Sequence, residues 1–295
     1  PLYADAQVQG GYMDNLYDYL ENTSVYEEGQ EEGHAFWLPE HSLSLNGEWK
    51  FFFGETPEEI PTSFFSPDYN VRKWESIAVP GNWEMFGYGN KVFRNVHAPF
   101  KANPPYVPRE YNPTGAYRTT FRIPSDWNGE EVFLRFEKVA SASFVWINGQ
   151  EVGYNEGAQE PAEYNITKYL KPGEKNLICM QVMRWCDGSY GEDQDFWRFT
   201  GIAREVYLYA RPKAHIEDIH IGQGLSEDFA TGKLSVQLTA QAAKGKTVKL
   251  ALTDKAGKEI WQATEKLASN EASFSTNINN VKAWTAETPN LYTLS

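Results

Sequence analysis

The stretch Ser143-Phe-Val-Trp-Ile-Asn-Gly-Gln-Glu-Val-Gly-Tyr154 sets the fold class. Ser143 to Ile147 is an apolar run rich in aromatic and β-branched side chains, which suit a pleated surface. It meets Asn148-Gly149, the strongest short hairpin signal, because a type I′ turn needs positive φ at both central positions. Glu151 to Tyr154 then returns as the partner strand. Outward from this hairpin the same grammar repeats. Upstream, Glu131 to Glu137 and Tyr117 to Ile123 alternate apolar and polar residues, and Trp49 to Phe53 follows an Asn46-Gly47 turn. Downstream, Asn165 to Leu170 is a turn segment ending in Lys171-Pro-Gly173. Asn176 to Trp185 and Glu205 to Tyr209 complete the set. Helical periodicity is confined to Asp14 to Glu21. Regularly spaced short strands without intervening helices define an all-β sandwich.

Arg211-Pro212 reads as a boundary, after which aromatic density falls. New alternation covers His215 to Ile221, Leu234 to Leu238 and Val248 to Leu252, with a turn at Asp254 to Gly257. This is the pattern of an immunoglobulin-like sandwich, which takes about 100 residues. Only 82 follow Lys213, so the second sandwich is expected to be truncated and the chain to be part of something longer. The expected layout is an acidic arm at 1–44, a first sandwich at 45–213 and an immunoglobulin-like sandwich at 214–295. Pro1 in place of Met implies a processed or recombinant start.

The net charge is −13, and the ten acidic residues of positions 1–49 meet no Lys or Arg before Lys50. The remaining chain is nearly neutral. This balance argues against nucleic acid and an anionic membrane surface as partners, since both require basic patches. No run of 18 apolar residues is present, so no helical membrane span is expected. Cys179 and Cys186 lie about 23 Å apart if the strand runs straight, which argues against a bond between them. Two cysteines without a Cys-x-x-Cys spacing also exclude a cysteine-built zinc site. The five histidines lack metal-ligand spacing, and neither a phosphate loop nor a Gly-x-Ser-x-Gly elbow occurs.

Three stretches exceed what a sandwich needs: Pro80 to Tyr88; Asn103-Pro-Pro-Tyr-Val-Pro108 with Asn112-Pro-Thr-Gly115; and Arg184 to Gly201, which contains Glu192-Asp-Gln-Asp195. Asn103 and Asp195 sit on irregular segments that a rigid scaffold can present. An amide donates and accepts together, and a carboxylate accepts sugar hydroxyls or ligates a hard cation. Phe196, Trp197 and Phe199 add an apolar platform. Arg184 and Arg204 read as ion-pair partners of the acidic loop. A self-contained jelly-roll glycosidase needs a Glu-x-Asp-x-x-Glu run, and here Gln194 and Trp197 break it. A free-standing carbohydrate-binding module and a purely structural domain remain as alternatives.

These stretches, together with Leu45-Asn-Gly-Glu-Trp49, Val139 to Tyr154 and Trp284 to Tyr292, resemble the N-terminal part of the β-galactosidases of glycoside hydrolase family 2. In the arm, Glu21-Asn22, Val25 and His34 recur at the family's spacing. The resemblance implies a jelly-roll sugar-binding domain, an immunoglobulin-like domain, and a TIM barrel beyond Ser295 that carries both catalytic glutamates. It implies that the full-length parent hydrolyses terminal β-galactosides with retention, and that this chain alone is noncatalytic. Asn103 would help bind the galactosyl ring, and Asp195 would contact galactose and ligate sodium. A second cation site, for magnesium or calcium, would draw on Asn22, the Val25 carbonyl, Glu156 and Asp187. One family carboxylate of that site falls on Tyr19. The parent's oligomeric state and its compartment, periplasm or cytoplasm, stay open.

Overall fold

A computed structural model of the chain describes residues 11, 15–93, 99–192, 195 and 197–295. The chain divides into two compact units, Pro1–Arg211 and Pro212–Ser295. Both are built of antiparallel strands. One α-helix, Leu16–Leu20, lies inside the stretch where helical spacing was found; Asp14 of that stretch lies outside the described residues. No helix among the described residues is long and apolar enough to cross a membrane.

The deciding hairpin forms as its residues dictate. Ala142–Ile147 pairs with Gln150–Asn155, Ile147 opposite Gln150, and Asn148 and Gly149 take φ of 53° and 84°. This hairpin is part of a seven-stranded sheet. Its order is Glu27–Glu28, Gln150–Asn155, Ala142–Ile147, Asn176–Met183, Thr114–Phe121, Gly47–Gly54, Glu75–Val79. A four-stranded sheet runs Ala162–Asn165, Glu131–Phe136, Val206–Arg211, Ser42–Ser44. Together they make the jelly-roll sandwich. Val145 and Ile147 point into the core shared with Leu134, Phe136 and Leu208 of the facing sheet. Phe144 and Trp146 point the other way, into a second core formed with Tyr19, Leu20 and Val25 of the arm and with Phe64 and Trp74. The large sheet is therefore covered on both faces, which explains why all six residues of Ala142–Ile147 are buried. The arm is structural: it contributes one edge strand through Glu27–Glu28, opposite Tyr154–Asn155, and another through Ser42–Ser44, opposite Tyr207–Tyr209.

The strand read from Asn176 to Trp185 stops at Met183. Past it the Asn112 side chain stands in for a neighbouring strand. Its Oδ1 accepts from Trp185 N–H at 2.8 Å, and its Nδ2 donates to Trp185 O at 2.9 Å. The chain then turns into the 3₁₀ helix Asp187–Tyr190. Cys186 is consequently not at the end of a straight strand, and both cysteines are free and buried.

The second unit packs two three-stranded sheets of immunoglobulin-like type. One holds His215–Leu225, Thr231–Gln241 and Glu271–Asn279, and the other Glu259–Lys266, Thr247–Thr253 and Thr293–Leu294. Glu259–Lys266 and Glu271–Asn279 escaped the sequence reading. The first carries one Ile and one Trp among polar residues, and both strands are mostly exposed.

Candidate functional site

Two loop clusters at one part of the jelly roll hold the singled-out residues. In the first, Tyr190, at the end of the 3₁₀ helix, organises the Asn103 loop. Asn103 N–H donates to Tyr190 Oη at 3.0 Å, Tyr190 O–H donates to Tyr106 O at 2.6 Å, and Tyr106 N–H donates to Asn103 O at 2.9 Å. Phe100 packs edge-on against both Tyr190 and Trp185. The Asn103 backbone is thereby fixed while its side chain remains exposed.

The loop bearing Asp195 is closed at its base. Arg184 is buried, and its Nη2 donates to Arg198 O at 2.8 Å. Its carboxylate neighbour is Glu84, 3.6 Å away and also buried, whose Oε2 accepts from Thr200 N–H at 2.9 Å. This corrects the reading of Arg184 as a partner of the acidic loop: its side chain points inward, where Glu84 is the carboxylate within reach. Burial pushes the Glu84 carboxyl above its ordinary pKa, and Arg184 and the Thr200 N–H oppose that. Asp195 itself is exposed; Asp193, Gln194 and Phe196 lie outside the described residues. Trp197 bridges to Phe93, and its ring stacks on Phe199 at 5.7 Å and tilts against Phe93 at 5.6 Å. Trp197 and Phe93 are about half exposed, at 48% and 50%. A cleft of about 310 Å³ lies alongside, lined by Ser141, Arg184, Ser189, Glu192, Trp197 and Arg198 among others.

The second cluster brings together Glu156 and Asp187, and with them Cys186, which the sequence reading had not placed there. One ligand atom from each of the three lies within 4.8 Å of the others. Their exposures are 6%, 8% and 0%. Burial, and then sharing with Asp187, raises the Glu156 carboxyl to about 9; burial followed by the nearby Glu156 charge raises the Cys186 thiol well above its ordinary value. Two buried carboxylates lie beside a thiol without a basic side chain in the cluster; the Tyr154 hydroxyl donates to Glu156, and the proton that Glu156 keeps and shares with Asp187 holds the pair together, a place that a bound cation would take. Two further features fit one. Asp187 Oδ2 is buried without a hydrogen-bond partner. A Cβ on Gly188 would stand 3.5 Å from Cys186 Sγ and 3.8 Å from Glu156 Oε2, so the glycine keeps that side open.

The arm reaches this cluster. Glu156 N–H donates to Tyr26 O at 2.9 Å, and Val25 packs in the same apolar core as Tyr154 and Cys186. Asn22 closes its own turn: its Oδ1 accepts from Ser24 N–H at 3.2 Å and its carbonyl from Val25 N–H at 2.8 Å. Tyr19 lies edge-on to Tyr154, with ring centroids 4.9 Å apart, and its hydroxyl donates to Glu28 at 2.7 Å. The position is committed to packing rather than to a carboxylate.

Comparison with known proteins places this architecture. Residues 43–212 match the glycosyl hydrolases family 2 sugar binding domain, and residues 214–295 match glycosyl hydrolases family 2. The chain belongs to glycosyl hydrolases family 2. It is 37% identical over 306 residues to a β-galactosidase of Priestia megaterium, covering 94% of this chain and 30% of that protein. It is 40% identical over 264 residues to one of Vibrio vulnificus, covering 85% and 25%. The chain thus spans about a quarter to a third of the length of these relatives. Among solved structures, a calcium binding mutant of Bacteroides uniformis β-glucuronidase 2 aligns with a TM-score of 0.64 at 22% identity, covering 85% of this chain and 30% of that one. A β-glucuronidase of Bifidobacterium dentium aligns at 0.62 and 21%, covering 87% and 45%. These two alignments speak to the fold alone.

Proposed function

We propose that this chain is the sugar-binding and immunoglobulin-like portion of a retaining β-galactosidase. Its part in the reaction is to present Asn103 and Asp195 to the galactosyl ring. The observation that carries the reading is the identity with β-galactosidases across 94% of the chain, combined with two exposed polar residues on tightly braced loops. The retaining mechanism needs two carboxyl groups about 5–5.5 Å apart, one as acid/base and one as nucleophile. In this reading both come from the larger remainder of the parent. Asp195 gives one exposed carboxylate to a sodium ion whose other ligands lie in that remainder. Glu156, Asp187 and the Val25 carbonyl, oriented by the Asn22 turn, hold a divalent cation that ties the arm to the sandwich. The purified chain is expected to leave a chromogenic β-galactoside unhydrolysed and to bind galactose weakly by calorimetry. Turnover by the pure chain would refute its noncatalytic role. Tight galactose binding by the chain alone would favour a free-standing carbohydrate-binding module, a reading to which the exposed Trp197–Phe93 pair lends some support.

A further inference from the structure

The Asn103 loop has few internal means of holding its shape, and a residue outside it supplies the rest. We propose that Tyr190 is a positioning residue for the sugar: its hydroxyl fixes the loop so that the Asn103 side-chain amide meets the galactosyl ring in one orientation. This rests on the reading of Asn103 as a sugar-binding residue.

Asn103-Pro-Pro-Tyr106 contains two prolines, which have no N–H to donate. Its backbone donors are therefore the N–H groups of Asn103 and Tyr106. Tyr106 N–H closes the turn on Asn103 O at 2.9 Å, which leaves Asn103 N–H without an acceptor inside the turn. Residues 103–106 belong to no strand, so no ladder provides one. Tyr190 Oη does, accepting from Asn103 N–H at 3.0 Å, while its O–H donates to Tyr106 O at 2.6 Å. One hydroxyl thus meets both ends of the turn, and the three hydrogen bonds close a ring.

Tyr190 is itself firmly mounted. Its ring meets Phe100 edge-on at 5.2 Å. The 3₁₀ helix that carries it is tied by Ser189 N–H to Cys186 O at 3.0 Å, by Cys186 N–H to Ser189 Oγ at 3.1 Å and by Gly191 N–H to Gly188 O at 3.0 Å. Beyond the turn, Val107 N–H donates to Glu21 Oε1 at 3.0 Å and Arg109 Nη2 donates to Glu21 Oε2 at 2.6 Å. That tether from the arm holds the residues after the turn, whereas Tyr190 holds the pair that brackets the prolines. The exposed Asn103 side chain takes its direction from this backbone. Displacing a substrate-orienting group by about an ångström is enough to slow an enzyme substantially.

Tyr190→Phe keeps the ring against Phe100 and removes only the hydroxyl. In the 295-residue chain, hydrogen exchange of the Asn103 backbone amide should quicken by at least about threefold, with the melting temperature little changed. In the full-length parent, Tyr190→Phe should lower kcat/KM for a β-galactoside by about three- to tenfold, divided between KM and kcat as for Asn103→Ala. Added to Asn103→Ala it should cost nothing further, because the loop then has no amide to aim; added to Asp195→Asn it should keep its full effect. Unchanged exchange at Asn103, equal losses from Tyr190→Phe with and without Asn103, or unaltered kcat/KM where Asn103→Ala is impaired would each overturn the positioning role and leave Asn103 as a sugar contact. An Asn103→Ala parent as active as the wild type would overturn the sugar reading itself, and the role of Tyr190 with it.

Discussion

The two units share a strand grammar and differ in how they bury it. In the first, the seven-stranded sheet is covered twice, by the facing sheet and by the arm with the segment around Phe64 and Trp74. In the second, the fully buried cluster consists of Leu238, Ala240, Ala243, Leu267 and Ala272, and Ile216, Ile219 and Ile221 stand about half exposed. Aromatic burial concentrates where the chain must hold loops in place. Trp146, near the turn end of the hairpin, stacks on Phe65 at 5.1 Å and meets Phe64 edge-on at 5.3 Å. A site built on irregular loops therefore gains its rigidity from the sheet below.

The sharpest way to break this comparison is to empty one core at a time. Trp146→Ala should destabilise the first unit by about 3–5 kcal/mol. Urea unfolding should show that transition moving while the second unit's transition stays where it was. Leu238→Ala, in the smaller cluster, should cost about 2–3 kcal/mol and move only the second unit's transition. A single transition shifted equally by both substitutions would show that the units unfold together.

A smaller effect separates the Glu156–Cys186–Asp187 cluster from the rest of the first unit. Glu156 has a folded-state pKa of about 9, against an ordinary value of 4.5, so the folded chain keeps a proton that the unfolded chain releases between those values. With a chelator present, stability should fall as pH rises through that window, because the unfolded state binds fewer protons. A bound divalent cation replaces the proton and should flatten the slope. Melting temperatures at pH 5 and pH 8.5, with and without metal, check this, and identical slopes would contradict it. The smallest effect lies at the surface. His41 Nδ1 pairs with Glu130 at 2.8 Å, and that hydrogen bond raises the imidazole pKa. The contribution is present below the unfolded-state value and lost as pH rises through the folded one. Glu130→Gln should move the His41 NMR titration midpoint down.

Strands with strict alternation or a marked turn could be read from sequence, because local chemistry alone specifies them. Asn148-Gly149 and the strands on either side are the clearest case. The short helix in the arm was similarly visible. What was hidden depends on long-range contact. Cys186 and Asp187 face Glu156 because the Asn112 side chain takes over from a neighbouring strand and the chain then turns, across thirty residues of separation. Arg184 reaches Glu84 across a hundred. Glu259–Lys266 and Glu271–Asn279 were missed because strands that lie largely in solvent carry little apolar signal. Asn103 and Asp195 stood out by residue type and setting, and both are exposed.

The central claim is that these two residues serve a galactosyl ring rather than the sandwich itself. The most direct measurement is kcat/KM for a β-galactoside in the full-length parent carrying Asn103→Ala or Asp195→Asn, alongside the melting temperature. The account predicts a loss of about 10- to 100-fold for each, the size expected for a hydrogen bond made by or to a charged group or sugar hydroxyl, with melting unchanged. Unaltered kcat/KM in both variants would contradict it.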